Sequence, residues 1–124
     1  MQFLRNKNAL VVQRIHMHQP AELRVCTVTA AELYFGCLKS SKPAAYRATV
    51  DAVLAPYVLL PFDIAAADEF AKIRHHLESR GTPIGPYDLQ IAAIALVHGL
   101  TLVTHNTSEF SRVPGLVLED WELP

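Results

Sequence analysis

Three carboxylate side chains fall where the chain would begin a helix, and carboxylates gathered in this way could hold a divalent cation. They are Glu32, Asp88 and Glu109. Carboxylates that meet without a counter-charge repel and raise one another's pKa, so a cluster of them calls for a cation. Hard oxygen ligands suit Mg²⁺ or Mn²⁺. A cluster of these acids would therefore take Mg²⁺ (or Mn²⁺) as cofactor.

Asp88 opens the most informative of these helices. The segment 81–88 reads GTPIGPYD, and Leu89 to Leu100 is almost wholly apolar, which predicts a buried helix. Pro86 has its φ preset for a first helical turn, and Gly85 should let the backbone approach a neighbour closely. An ionised Asp in the first turn of a buried helix is unusual unless something binds it. The alternative is that the carboxylate only complements the helix dipole, which contributes a few tenths to about one kcal/mol.

The other two acidic segments also have a purely structural interpretation. Thr29-x-x-Glu32 has the spacing of a capping box, in which the Thr hydroxyl and the Glu carboxylate satisfy backbone N–H groups. Asn106-Thr-x-Glu109 likewise resembles the start of a short helix. Three such starts at one edge of a single sheet are harder to explain by capping alone, so both interpretations stay open at this point.

The elements that would position these acids alternate along the chain. Predicted helices cover Phe3 to Ile15, Thr29 to Leu38, Pro43 to Leu54 and Ile64 to Arg80, and a further helix has Pro86 and Asp88 in its first turn and the apolar run from Leu89 to Leu100 after them. Predicted strands cover Leu23 to Val28, Tyr57 to Phe62, Leu100 to Thr104 and Gly115 to Leu118, with a turn from Thr107 to Phe110. Strands separated by helices favour a parallel sheet covered on both faces, with reactive residues beyond the carboxyl ends of its strands. The pattern predicts one α/β domain over residues 1–124.

The composition is that of a folded domain and narrows the function only slightly. The chain has 124 residues, of which 51% are hydrophobic and 19% charged, which excludes a disordered chain. A net charge of −1 neither favours nor excludes a nucleic-acid partner. No apolar run is long enough to span a bilayer and no signal peptide is recognisable, so we expect a cytoplasmic protein with no membrane partner. Cys26 and Cys37 are then expected to be reduced, buried thiols.

The six histidines match no common zinc pattern. His75 and His76 lie on a polar helix face without a partner pair of cysteines. His105 adjoins the predicted acidic site and could contact a substrate there. Histidine ligation of a metal is therefore not expected from the spacing.

Four blocks of sequence resemble the PIN-domain ribonuclease toxins of the VapC type. They read VTAAELYFG at 28–36, RGTPIGPYDLQIAAIA at 80–95, LVTHNTSEF at 102–110 and LVLEDW at 116–121. The resemblance extends from Phe3 to Trp121 and implies a PIN-like three-layer α/β sandwich, whose short parallel sheet has helices on both faces. It also implies a metal-dependent endoribonuclease, often cutting tRNA, that forms a homodimer and is neutralised by a cognate antitoxin.

The same resemblance assigns roles to individual residues. It places Glu32 and Asp88 in the metal site, gives the last acid as Glu109 or its replacement Asn106, and makes Thr104 the hydroxyl at a strand end. The reaction it implies is phosphodiester hydrolysis by a metal-generated hydroxide, leaving a 5′-phosphate and a 3′-hydroxyl.

The family opens with a strand that ends in an Asp, and we expect this chain to lack both. Residues 1–8 resemble the far end of the helix that follows this strand, through either a late start of the reading frame or a true truncation. Unpaired buried amides cost about 1–3 kcal/mol each against a total stability of about 5–15 kcal/mol, so we expect marginal stability. Because the missing Asp is a principal metal ligand in the family, we also expect weak activity or none. The alternative function is a catalytically defective PIN protein that dimerises or binds an antitoxin through Tyr34, Phe35 and Tyr46.

Overall fold

The computed structural model describes the backbone of residues 9–123 and the side chains of residues 13–123. Its helices are α1 (Ala9–His16), α2 (Thr27–Lys39), α3 (Pro43–Leu54), α4 (Ile64–Ser79), α5 (Pro86–Val97) and α6 (Thr107–Phe110). Its strands are β1 (Arg24–Cys26), β2 (Val58–Leu60), β3 (Leu102–Val103) and β4 (Leu118–Glu119). Residues 1–8, and with them the start of the predicted first helix, lie outside the described residues. Among the described helices, none combines the length and apolarity needed to cross a membrane.

The chain divides into two compact units, Met1–Pro61 and Phe62–Pro124, and each is described by itself. That the two form a single domain stays a prediction. Each unit contains a parallel strand pair joined through helices, which confirms the predicted parallel pairing. The described strands form these two pairs rather than the single sheet predicted. Helices dominate the described chain and the paired strands are only two or three residues long.

The first unit packs α2 and α3 over the parallel pair β1–β2, in which Val25 lies opposite Leu59. Its core consists of Val25, Ala30, Leu33, Cys37, Val50 and Leu54. Apolar residues three or four apart on each helix share one face, and this face packs inward. Tyr34 and Tyr46 pack against the same core rather than facing outward. The thiols of Cys26 and Cys37 are free, and burial raises the pKa of the Cys26 thiol to about 11.

The start of α2 differs from the prediction. The helix begins at Thr27 after the N-cap residue Cys26, which makes no side-chain capping bond, so the predicted strand to Val28 is two residues too long. Thr29 is consequently inside the first turn and Glu32 in the second, and the predicted capping box at Thr29 and Glu32 is wrong. Val28 is buried in the first turn of α2. A buried apolar residue at this position continues the alternating pattern of the strand before it, which is why the strand was predicted to extend to Val28.

The second unit packs α4 against α5 and pairs β3 with β4, so that Leu102 lies opposite Leu118. Its core consists of Ile73, Leu77, Leu89, Ala92, Ala93, Phe110 and Val113. Ala92, Ala93 and Ile94 are wholly buried, which confirms the prediction of a buried helix after Asp88. Burial of a large aliphatic side chain stabilises the folded state by about 1.5–3 kcal/mol. The core formed by these side chains holds α5 in place.

Glycine ends both long helices of the second unit. Gly81 and Gly99 have φ of 67° and 62°, the left-handed conformation that glycine adopts without strain. In both cases the glycine N–H and the next N–H donate back to the last helical turn, as in a Schellman motif. At the other end of α4, the Asp63 carboxylate accepts a hydrogen bond of 2.9 Å from the Ala66 N–H. The turn at Gly81 directs the chain from α4 into the segment 81–85 that leads to Asp88.

Other boundaries also differ from the prediction. α4 ends at Ser79 and β3 is shortened to Leu102–Val103, while the predicted turn at 107–110 is a one-turn helix. The last strand is Leu118–Glu119 rather than Gly115 to Leu118. Gly115 has φ of 78° and so lies in a turn, and Leu116 packs against the core of the unit. A short apolar run in a loop that packs against the core has the same sequence pattern as a strand, so the strand was predicted to start too early.

Candidate acidic site in the second unit

Asp88 lies in the first turn of α5, as predicted. The helix begins at Pro86 after the N-cap residue Gly85, whose carbonyl accepts the first helical hydrogen bond from the Leu89 N–H at 2.9 Å. The predicted close approach at Gly85 is wrong, because its φ is −59° and a Cβ built there would meet no atom within 4 Å. The Asp88 side chain is half-buried at the edge of a helix whose next turns are in the core.

Asn106 connects the two acids of this unit. Its Nδ2 donates to Oε2 of Glu109 at 2.8 Å and lies 3.4 Å from Oδ2 of Asp88. The Asn106 backbone N–H donates to the Thr104 hydroxyl at 3.0 Å, directly after β3. The structure therefore brings together four residues predicted for the site, namely Thr104, Asn106, Glu109 and Asp88.

Glu109 also ties α6 to the start of α5. Its Oε1 accepts a hydrogen bond of 3.0 Å from the Gly85 N–H, an N–H group at a helix start that has no partner within the helix. A second connection comes from Arg112, whose Nη1 donates to the Pro83 carbonyl at 3.1 Å. The two bonds fix the segment 83–85 from the same side and so determine where Asp88 emerges. Arg112 was not among the predicted residues, since nothing in its neighbourhood of the sequence marks a bond to Pro83.

The environment of Glu109 favours its ionised form. The hydrogen bond from Asn106 and then the one from the Gly85 N–H lower the pKa of Glu109, with smaller contributions from Arg112 and Asp88. Desolvation opposes this shift and is outweighed. Glu109 is therefore a carboxylate anion at neutral pH, and Asp88 lies beside it.

The donor set fits a hard divalent cation. Asp88 and Glu109 offer carboxylate oxygens, Asn106 an amide oxygen and Thr104 a hydroxyl, with no sulfur or imidazole nitrogen among them. Oxygen donors of this kind are those that Mg²⁺ and Mn²⁺ prefer. The Asn106 amide, which contacts both carboxylates, reduces their repulsion in the way a cation would.

Glu32 belongs to the first unit. It lies in the second turn of α2, half-buried and next to the buried Leu33. Its participation in one site with Asp88 stays a prediction that rests on the family resemblance.

Parallel α/β units and a cluster of Asp88, Asn106 and Glu109 are the features expected of a PIN-domain protein. Sequence comparison gives the same class. The chain belongs to the PIN-domain family, whose description matches residues 2–116. Within that class it is similar to the VapC nucleases. A tRNA(fMet)-specific endonuclease VapC of Shigella flexneri is 39% identical over 118 residues, which cover 95% of this chain and 89% of the relative. A protein of the same name from Salmonella typhimurium is 36% identical over the same coverage.

Solved structures give the same result for the fold. The chain superposes with a TM-score of 0.90 and 35% identity on a structure described as DNA-bound VapBC from Salmonella typhimurium, covering 96% of this chain and 89% of that one. It superposes with a TM-score of 0.89 and 27% identity on VapBC-1 from nontypeable Haemophilus influenzae, covering 98% and 92%. These matches confirm the predicted PIN-like α/β fold.

Proposed function

We propose that this chain is a metal-dependent endoribonuclease and the toxin of a toxin–antitoxin pair. The observation that carries the proposal is the contact of Asp88 and Glu109 with one amide, Asn106, in a chain of the PIN-domain family. Two relatives that cover 95% of the chain are named as VapC endonucleases of tRNA, which supports RNA as the substrate. A toxin that acts on tRNA would work in the cytoplasm.

The residues that would hold the metal are Asp88 and Glu109, together with Glu32 on the family resemblance. When bound, Mg²⁺ or Mn²⁺ lowers the pKa of a water molecule and stabilises negative charge on the phosphate oxygens. Asn106 holds the two carboxylates side by side, and Thr104 fixes the backbone of Asn106. We expect cleavage of the phosphodiester bond to leave a 5′-phosphate and a 3′-hydroxyl.

The first experiment is cleavage of RNA in the presence of Mn²⁺ by the chain and by Asp88→Asn. Loss of a residue that only supports a metal ligand costs 10–100-fold, so loss of the Asp88 charge should slow cleavage by about 100-fold or more. Asp68→Asn is the matched control, because Asp68 lies exposed on α4 in an ion pair with Lys72. Equal cleavage by the chain and by Asp88→Asn would refute the proposed site.

The substrate proposal is narrower and is tested separately. From the names of the two relatives we propose initiator tRNA as the substrate. Purified initiator tRNA and an elongator tRNA, incubated with the chain in parallel, should differ in cleavage rate by at least about ten-fold. Equal rates would remove the tRNA preference and leave the nuclease proposal standing.

The antitoxin would cover apolar residues on α2. Of the three residues predicted for this surface, Phe35 is 60% exposed, whereas Tyr34 and Tyr46 are packed against the core. Leu38, one turn further along α2, is 76% exposed, so the two side chains offer an apolar surface to a partner helix. The similarity to solved structures of VapBC supports an antitoxin as that partner. The predicted homodimer stays a prediction.

The antitoxin surface is tested by co-purification with a cognate antitoxin. Phe35→Asp and Leu38→Asp should lower recovery of the complex at least ten-fold without loss of folding. Ile64→Asp is the control, because Ile64 is 87% exposed at the start of α4. Unchanged recovery with both α2 variants would place the partner on another surface. The same assay tests the alternative function, since a chain that binds antitoxin but never cuts RNA would be a defective PIN protein.

A further inference from the structure

A second cluster of metal-ligating side chains lies at the carboxyl ends of β3 and β4. His105 is two residues past β3, and Asp120 and Glu122 follow β4. Because β3 and β4 are parallel neighbours, with Val103 opposite Glu119, their ends bring these side chains together. Within the described residues, this is the group of three histidine, cysteine or acidic side chains whose ligand atoms all lie within 4.8 Å of one another.

The distances in this cluster match the geometry of a coordination shell. His105 Nδ1 lies 3.0 Å from Asp120 Oδ2 and 3.4 Å from Glu122 Oε2. Metal–ligand bonds of about 2.1 Å separate neighbouring ligands by about 3.0 Å in an octahedron and about 3.4 Å in a tetrahedron. A cation could therefore be bound with only small shifts of the three side chains.

The burial of the two acids separates this cluster from an ordinary acidic patch. The side chains of Asp120 and Glu122 are only 9% and 14% exposed, whereas His105 is 57% exposed. The Glu122 backbone N–H donates to Asp120 Oδ1 at 3.0 Å, which fixes the carboxylate that faces His105. Two carboxylate oxygens and a ring nitrogen, all within 4.8 Å of one another, can point at one shared cation.

We propose that His105, Asp120 and Glu122 bind a divalent transition metal through one nitrogen and two oxygen atoms. An imidazole with two carboxylates suits Zn²⁺ or Mn²⁺, and disfavours Mg²⁺, which prefers oxygen ligands alone. The site shares no ligand with the cluster of Asp88 and Glu109. Its metal would join the end of β3 to the segment after β4, and so acts on the stability of the second unit whether or not the chain cuts RNA.

The test is calorimetric titration of the purified chain with Zn²⁺ and, separately, with Mg²⁺. Zn²⁺ should bind at least ten-fold more tightly than Mg²⁺, and His105→Ala and Asp120→Asn should each weaken Zn²⁺ binding at least ten-fold. His75→Ala is the matched control, because His75 is exposed on α4 and should leave the Zn²⁺ affinity unchanged. Equal Zn²⁺ affinity in the chain, His105→Ala and Asp120→Asn would overturn the proposal.

Thermal unfolding provides a second readout, which does not depend on nuclease activity. Saturating Zn²⁺ should raise the unfolding midpoint of the chain and of Asp88→Asn, because the metal binds the folded state and the cluster survives in that variant. His105→Ala, whose exposed side chain can be removed without opening the core, should show no such rise while keeping its helical circular dichroism. A rise in His105→Ala as large as in the chain would overturn the proposal, whatever the outcome of the cleavage assay.

Discussion

Removing the Glu109 carboxylate should destabilise the second unit, because that one group connects α6 to the start of α5. Glu109→Ala deletes the acceptor of two hydrogen bonds, one from the Gly85 N–H at 3.0 Å and one from the Asn106 amide at 2.8 Å. The Gly85 N–H then has no acceptor in its own helix, since it lies at the N-cap. Glu109→Gln keeps an acceptor oxygen for Gly85 and should be affected less.

The magnitude follows from the exposure of the two bonds. A hydrogen bond to a charged group contributes about 1.5–3 kcal/mol when shielded, and the bond to Gly85 is part-buried. The bond from Asn106 is exposed to solvent and is worth less than about 1 kcal/mol. We therefore expect Glu109→Ala to lower the free energy of unfolding by about 2 kcal/mol. In a chain of this length that corresponds to a fall of about 6–10 °C in the unfolding midpoint.

The assay is thermal unfolding followed by circular dichroism, in a chelating buffer so that metal binding does not contribute. Glu78→Ala is the control, because the exposed ion pair of Glu78 with Arg74 is worth at most about 0.5 kcal/mol. A fall in the Glu109→Ala midpoint no larger than that of the control would refute the argument that this carboxylate holds the start of α5.

The pH dependence of Glu109→Gln tests the charge on Glu109. Folding lowers the pKa of Glu109 below its ordinary value of 4.5, so its ionised form stabilises the folded state. That stabilisation is complete above the ordinary pKa and is lost as the pH falls through the lower pKa of the folded state. The difference in stability between the chain and Glu109→Gln should therefore shrink below about pH 4. A difference that stays constant down to pH 3 would show that the charge contributes nothing.

Five further variants, at four positions, test helix ends, backbone conformation and the bond to Pro83. Asp63→Ala should lower the unfolding free energy by about 1 kcal/mol through loss of the α4 N-cap, and Asp63→Asn should restore most of it in urea titrations. Gly99→Ala should cost about 1 kcal/mol because its φ is 62°, whereas Gly36→Ala, inside α2, should gain about 0.5–1 kcal/mol. Equal signs in these two unfolding titrations would contradict the backbone argument. Arg112→Ala should cost about 0.5–1 kcal/mol by loss of the bond to Pro83, and no change in the urea midpoint would show that this bond is not needed.

The position of Asp88 could be predicted because every local signal agrees. Pro86 fits only the first turn of a helix, and the apolar run after Asp88 can be buried only as a helix of that length. The positions of Asn106 and Glu109 could also be predicted, because they directly follow a short apolar strand and polar residues there begin the next helix. The structure of such a region can be predicted from one sequence because its helix propensity and its hydrophobic pattern agree.

Contacts between distant residues could not be predicted in the same way. The bond from Gly85 to Glu109 spans 24 positions and uses a backbone N–H, which any residue except proline offers. The start of α2 was misplaced because Cys26 provides no capping side chain that would mark it. The contact of His105 with Asp120 joins residues 15 apart, and it exists only because β3 and β4 are in register.

The pairing of β3 with β4 has a consequence for the nascent chain. The Leu102 and Thr104 N–H groups donate to the carbonyls of Val117 and Glu119. Ribosomes add residues in order, at roughly 5–20 per second, so residues 117–119 are translated after Asp88, Asn106 and Glu109. A chain that ends before Val117 carries Asp88, Asn106 and Glu109 but lacks the carbonyl acceptors of the Leu102 and Thr104 N–H groups.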